Sequence, residues 1–198
     1  GIDPATLITA GSKAAALKAA GAAINAVDDV LTTYNKQAFC AVRPPGHHAT
    51  RDKAMGFCLF NNVAIAAYHA LETHGLERVA IVDFDVHHGN GTALICGRDE
   101  SVFTFSMHDR HNYPVYKPRS SLDVGLPAGT TDQDYLRYLG QSLPQVLAHQ
   151  PDLVFYLAGA DPYEDDQLGH TKLTKEGLRE RDRVVLSAVR GAAVPVVI

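Results

Sequence analysis

The sequence predicts an α/β fold: a mainly parallel sheet with helices on both faces. Three observations carry that prediction. Short apolar runs alternate with longer segments of helical period along the whole chain. The runs are brief and dense in Val, Ile and Phe, as strands covered on both faces are. No internal repeat or linker-like stretch divides the 198 residues, so a single domain over 1–198 is expected. A chain of that size buries about 70% of its unfolded surface.

Each element follows from its own signal. SKAAALKAAGAAINAVDDVL places Leu17, Ala20, Ile24, Val27 and Leu31 on one helical face, and its alanines suit close packing. AFCAV (38–42), ended by Pro44-Pro45-Gly46, reads as a buried strand. NNVAIAAYHALETHG reads as a helix with an Asn cap that closes at Gly75. RVAIVDFD (78–85) and VFTFSM (102–107) are strands. DQDYLRYLGQSLPQVLAHQ is a helix capped by Thr131, in which Pro144 kinks the chain or starts a second segment. LVFYLAG (153–159) is a strand, TKEGLRERDRVVLSAVRG a helix between Thr174 and Gly191, and VPVVI (194–198) a last strand.

Composition narrows the function. A net charge of −4 without a basic cluster argues against direct nucleic-acid binding. The apolar segment 12–31 carries Lys13, Lys18, Asp28 and Asp29, which argues against a membrane span. Cys40, Cys58 and Cys96 cannot all pair and form no C-x-x-C, so reduced thiols and a cytoplasmic setting are expected. The chain starts at Gly1 and carries no secretory leader pattern.

In open parallel sheets, ligands bind beyond the carboxyl ends of the strands. The unusual residues all fall there. RPPGHH follows AFCAV, VHHGNG follows AIVDFD, and Asp161 follows LVFYLAG. Asp83, Asp85 and His87 share parity, so an extended backbone points them to one side. Asp85, His87 and Asp161 form a candidate metal set with an open position for water; ligand type suits Zn²⁺ and admits Fe²⁺. Taken singly, D-x-H or His-His beside glycine is often only a loop cap. Clustering several such polar groups without purpose would be costly.

RPPGHHA (43–49), MGFCLFNNVAIAA (55–67), DFDVHHGNGT (83–92) and AGADPYEDDQLG (158–169) resemble the histone deacetylase superfamily. That group includes acetylpolyamine amidohydrolases and acetoin-utilisation proteins on the arginase–deacetylase fold. The similarity runs from about residue 10 onward, and FTFSMHDRHNYP and GADPYEDDQLG are similar to class IV-like bacterial members.

The resemblance implies zinc ligation by Asp85, His87 and Asp161. It implies His48 as general base and then acid, with His47 tuning the site electrostatically. Asp83 matches the partner of His47 and Asn90 that of His48. A structural K⁺ is implied at Asp83, Asp85, His87, Ser106 and Met107, mostly through backbone carbonyls. Gly56, Phe57, Tyr113 and Leu168 match the walls of an acyl-lysine tunnel, although Phe57 and Leu168 could equally be core residues. Cys58, beside them, reads as a buried thiol.

The implied reaction is zinc-dependent hydrolysis of an acyl-lysine peptide or protein, or of an acylated polyamine. The family's oxyanion donor is a tyrosine in a glycine-rich loop after the strand that VPVVI resembles. The expectation is a chain cut short of that loop and of the family's first strand, with turnover assigned to an intact version. Two rivals are set against this. An arginase-like ureohydrolase would need a second metal and D-x-H-x-D, where this chain has Gly89. A non-catalytic module would keep the metal pocket and only capture acyl-lysine.

Overall fold

The computed structural model describes residues 3, 4 and 6–198. Helices α1 (Ser12–Thr32), α2 (Asn62–His74), α3 (Asn90–Cys96), α4 (Asp132–Ala148) and α5 (Lys175–Gly191) are interleaved with six strands, of which only the third and fourth follow one another directly. These are β1 (Gln37–Ala38), β2 (Val79–Asp83), β3 (Val102–Asp109), β4 (Leu122–Leu126), β5 (Leu153–Leu157) and β6 (Val196–Val197). They form one sheet in the order β1-β6-β5-β2-β3-β4, every neighbouring pair parallel.

All five residues of β2 are buried, and their alternation feeds two cores. Val79 and Ile81 meet Val27, Val30, Ala66 and Ala70 of α1 and α2 on one face. Ala80 and Val82 meet Tyr135, Leu139, Val185 and Val189 of α4 and α5 on the other. Covering both faces is what allows the strands to be continuously apolar. Among the described residues, no helix is long and apolar enough to cross a membrane.

The expected elements differ in four places. In α1 the packed face is Ala16, Ala19, Ala20, Ala23, Ala26, Val27 and Val30, while Leu17 is exposed. Small side chains let α1 lie close to α2, so burial follows the alanines together with Val27 and Val30. Of residues 38–42 only Ala38 pairs within β1, and Phe39 is exposed, because this strand is at the sheet edge. Pro144 neither breaks nor divides α4. It lies on the solvent face, where the Gly140 carbonyl that loses its partner can meet water. Gly191 is the last residue of α5, and Ala192 caps it. Asn61 and Thr174 do cap α2 and α5, accepting from the Ala64 and Gly177 amides, and Gly75 ends α2 in the left-handed region.

Candidate active site

The middle strands β2 and β5 lie side by side, so the loops leaving their carboxyl ends are neighbours. From β5, Gly159 passes so close to Asp85 that a Cβ would come within 2.5 Å of the Asp85 Cα. This glycine brings Asp161 against the loop after β2, where its Oδ1 accepts from the Val86 amide at 2.9 Å. Buried Arg181 holds the turn from behind, donating to the Gly159 carbonyl.

The third arm, Pro44 to Ala49, is fixed from two sides. Asn62 donates to the Pro44 carbonyl and Asn61 to the Ala49 carbonyl, at 3.1 and 3.0 Å. The Thr92 amide in α3 donates to the His47 carbonyl at 3.1 Å. Gly91 sits where a Cβ would lie 2.2 Å from the Ala49 carbonyl oxygen, so α3 can press against this arm only with glycine there.

The extended backbone expected through Asp83, Asp85 and His87 is not what brings these residues together. β2 ends at Asp83 and the backbone bends through residues 85–87. Carboxylates organise those bends: Asp83 Oδ1 accepts from the Asp85 amide at 3.2 Å, and Asp85 Oδ1 from the His87 amide at 2.8 Å. The result is convergent. His87 Nδ1 lies 2.8 Å from Asp85 Oδ1 and 3.1 Å from Asp161 Oδ2, and one donor atom from each residue falls within 4.8 Å of the others. Burial raises the Asp161 carboxyl above its ordinary range. Burial alone would lower His87, but its bonds to Asp161 and Asp85 carry it up to about 10.

Beside these donors stand His47 and His48, both buried, with ring centroids 3.9 Å apart. Their partners differ. His47 Nδ1 is 2.7 Å from the Asp83 carboxylate, and its Nε2 is 3.8 Å from Asp85. His48 Nδ1 is 2.7 Å from the neutral Asn90 Oδ1. Burial disfavours charge on His47, yet Asp83 and Asp85 raise it to about 9. Burial and the neighbouring His47 lower His48 to about 3. The carboxylate partners thus favour charge on His47, while burial beside that ring disfavours it on His48.

Gly56 and Phe57 form a two-residue hairpin between Met55 and Cys58, both with positive φ, 55° and 66°. A Cβ on Gly56 would come 2.3 Å from the His48 ring, so this glycine packs directly on the histidine. Phe57 and Leu168 are exposed, 52% and 53%, which removes the core-packing alternative for both. Tyr113 stands edge-on to His48 at 4.9 Å and to His87 at 6.4 Å. Asn112 donates to the Leu168 carbonyl, tying the loop after β3 to the loop after β5. Cys58 is buried, its thiol pushed up to about 12 by burial. Ser106 and Met107 are buried in β3, with Ser106 in register with Asp83 and its Oγ 3.4 Å from the Gly89 amide.

Sequence reasoning missed Asp3. Its Oδ2 accepts from the Gly56 amide at 2.7 Å and from the Tyr113 hydroxyl at 3.3 Å, and its Oδ1 from Thr6. Asp3 thus braces the rim, together with Thr6, whose Oγ1 accepts from the Phe57 amide at 3.0 Å. A lone acid before the first helix carries no periodic or motif signal.

The family model described as the histone deacetylase domain matches residues 1–198, including the stretch before residue 10 where the motif similarity fades. The chain belongs to this family and has the arginase–deacetylase α/β fold. It is 47% identical over 152 residues to an uncharacterized protein of Picosynechococcus sp., covering 76% of this chain and 50% of that protein. It is 43% identical to the polyamine deacetylase HDAC10 of Rattus norvegicus, over 80% of this chain and 30% of that one. The crystal structure of the HDA15 HD domain superposes with a TM-score of 0.86 at 35% identity, covering 98% of this chain and 60% of that one. The chain spans half the length or less of these curated relatives.

Proposed function

We propose that this chain is the catalytic core of a metal-dependent deacylase that hydrolyses the amide of an acylated lysine or an acylated polyamine. The observation that carries it is the asymmetric histidine pair, His47 on Asp83 and His48 on Asn90, set against three convergent donors. Asp85, His87 and Asp161 fit a single divalent cation: two carboxylates and one imidazole supply three ligands and leave room for water. Zn²⁺ suits that set, Fe²⁺ is compatible with it, and either would supply Lewis acidity toward the substrate carbonyl and the attacking water.

The remaining chemistry belongs to the chain. His48, neutral and oriented by Asn90, takes a proton from water and returns it to the leaving amine. His47, held cationic by Asp83, stabilises negative charge as it develops nearby. Phe57, Tyr113 and Leu168 are exposed apolar side chains that an extended aliphatic chain could pack against. A structural K⁺ at Asp83, Asp85, His87, Ser106 and Met107 belongs to the same reading.

Gly89 weighs against the arginase-like rival. A Cβ there would lie 2.4 Å from Asp83 Oδ2, so no carboxylate can stand in that position to hold a second metal. The free-base His48 favours an enzyme over a module that only captures acyl-lysine. The test is hydrolysis of an acetyl-lysine peptide and of an acetylated polyamine by the intact protein, before and after chelation. Turnover of either substrate that is lost on chelation and restored by Zn²⁺ or Fe²⁺ supports the proposal. Failure to hydrolyse both when metal-loaded rejects it.

A further inference from the structure

A second convergence of metal-binding side chains lies at the other end of α2. His69 Nε2 and His74 Nε2 each sit 2.7 Å from the same oxygen, Asp28 Oδ1, and the two rings are 5.3 Å apart at a near-perpendicular angle. Donor atoms from all three residues fall within 4.8 Å of one another. The start of α2 is tied to the Pro44–Ala49 arm through Asn62. Twelve residues at 1.5 Å each put His74 about 18 Å further along the helix, away from the rim.

The surroundings suit a cation. Asp28 lies near the end of α1 and His74 is the last residue of α2, so two helix C-termini direct their partial negative charge here. No lysine or arginine pairs with Asp28 among the described residues; its ion-pair partners are the two histidines. His69 Nδ1 faces Thr73 Oγ1 at 3.2 Å, a partner that can fix the ring while Nε2 serves as ligand. The histidine side chains are 20% and 18% exposed and Asp28 46%, so an ion can enter without unfolding and keep water in its remaining positions.

We infer that Asp28, His69 and His74 form a second metal site, separate from the rim, that takes a divalent transition-metal ion such as Zn²⁺ and clamps α1 to α2. Two imidazoles and one carboxylate are a donor set for Zn²⁺ rather than for Mg²⁺ or Ca²⁺. On binding, each ring loses its Nε2 proton to Nδ1 or to solvent, and the shared carboxylate oxygen exchanges two N–H donors for the ion.

The experiment is equilibrium dialysis of the intact protein against Zn²⁺, followed by elemental analysis. The comparison is wild type against the His69→Gln/His74→Gln double variant. The expected result is one Zn²⁺ fewer per chain in the variant, whatever number the rim retains, and loss of a Zn²⁺-induced rise in thermal midpoint. Equal stoichiometry and an equal midpoint rise would overturn the inference and leave the trio as a hydrogen-bonded clamp. If the double variant fails to fold, Asp28→Asn, which preserves shape and both imidazoles, gives the same comparison. Because the readout is a difference between variants, it stands apart from deacylase activity at the rim.

Discussion

The chain contains two His-His pairs, and the structure uses them in opposite ways. His47 and His48 follow a proline-rich turn, and both rings stay together, packed on each other. His87 and His88 follow a strand end, and neighbouring side chains there part company. His87 turns to Asp85 and Asp161 at the rim. His88 is fully buried behind it, 3.1 Å from Asp123 and edge-on to His108. The same dipeptide is therefore a chemical pair in one place. In the other it is one candidate ligand and one structural anchor. Backbone geometry, not residue type, divides the roles.

Substitutions along these pairs should separate chemistry from support. The largest effect is expected at His48: His48→Ala should lower kcat by about 10²- to 10⁴-fold, the span of a positioned general base, while metal content stays at the wild-type level. Next comes the partner of the other ring. Asp83→Asn should cost about 10- to 100-fold in kcat, read by the same assay, because His47 loses the charge that holds it cationic. A smaller and different effect is expected behind the rim. His88→Ala should lower unfolding free energy by about 2–3 kcal/mol in denaturant melts, from the cavity and the unpaired Asp123, with rim chemistry largely kept.

The smallest effect is a pH dependence. Burial raises the Asp123 carboxyl, but the His88 bond and the Ser120 amide outweigh it and hold the group below 3.8. A carboxylate depressed in the fold stabilises it above its unfolded value and loses that contribution as pH falls. The stability gap between wild type and Asp123→Asn should therefore narrow as pH falls below about 4 toward the lower value held in the fold, measured by melts across pH.

Much of this was legible in the sequence because strand ends and motifs are local. Alternation of apolar runs and helices led to the parallel sheet, and motif position led to the rim. The missed elements have weak local signals. Helix α3 is seven residues long and contains Gly91, too short and too glycine-bearing to show a period. Strand β4 reads LDVGL at a half-exposed edge, where Asp and Gly disguise it. Ala20 and Val27 lie on the buried face of α1 as expected, while Leu17 does not, because a close helix pair selects alanine. The bends at 85–87, and the Asp28–His69–His74 trio that joins two helices, depend on tertiary placement that spacing does not encode.

The most direct test of the account is the metal content of the intact protein, compared between wild type and Asp161→Ala after dialysis against Zn²⁺. The account predicts that Asp161→Ala loses one metal ion per chain and, with it, hydrolysis. A variant that keeps the full wild-type metal content and turns over acetylated substrate normally would contradict it.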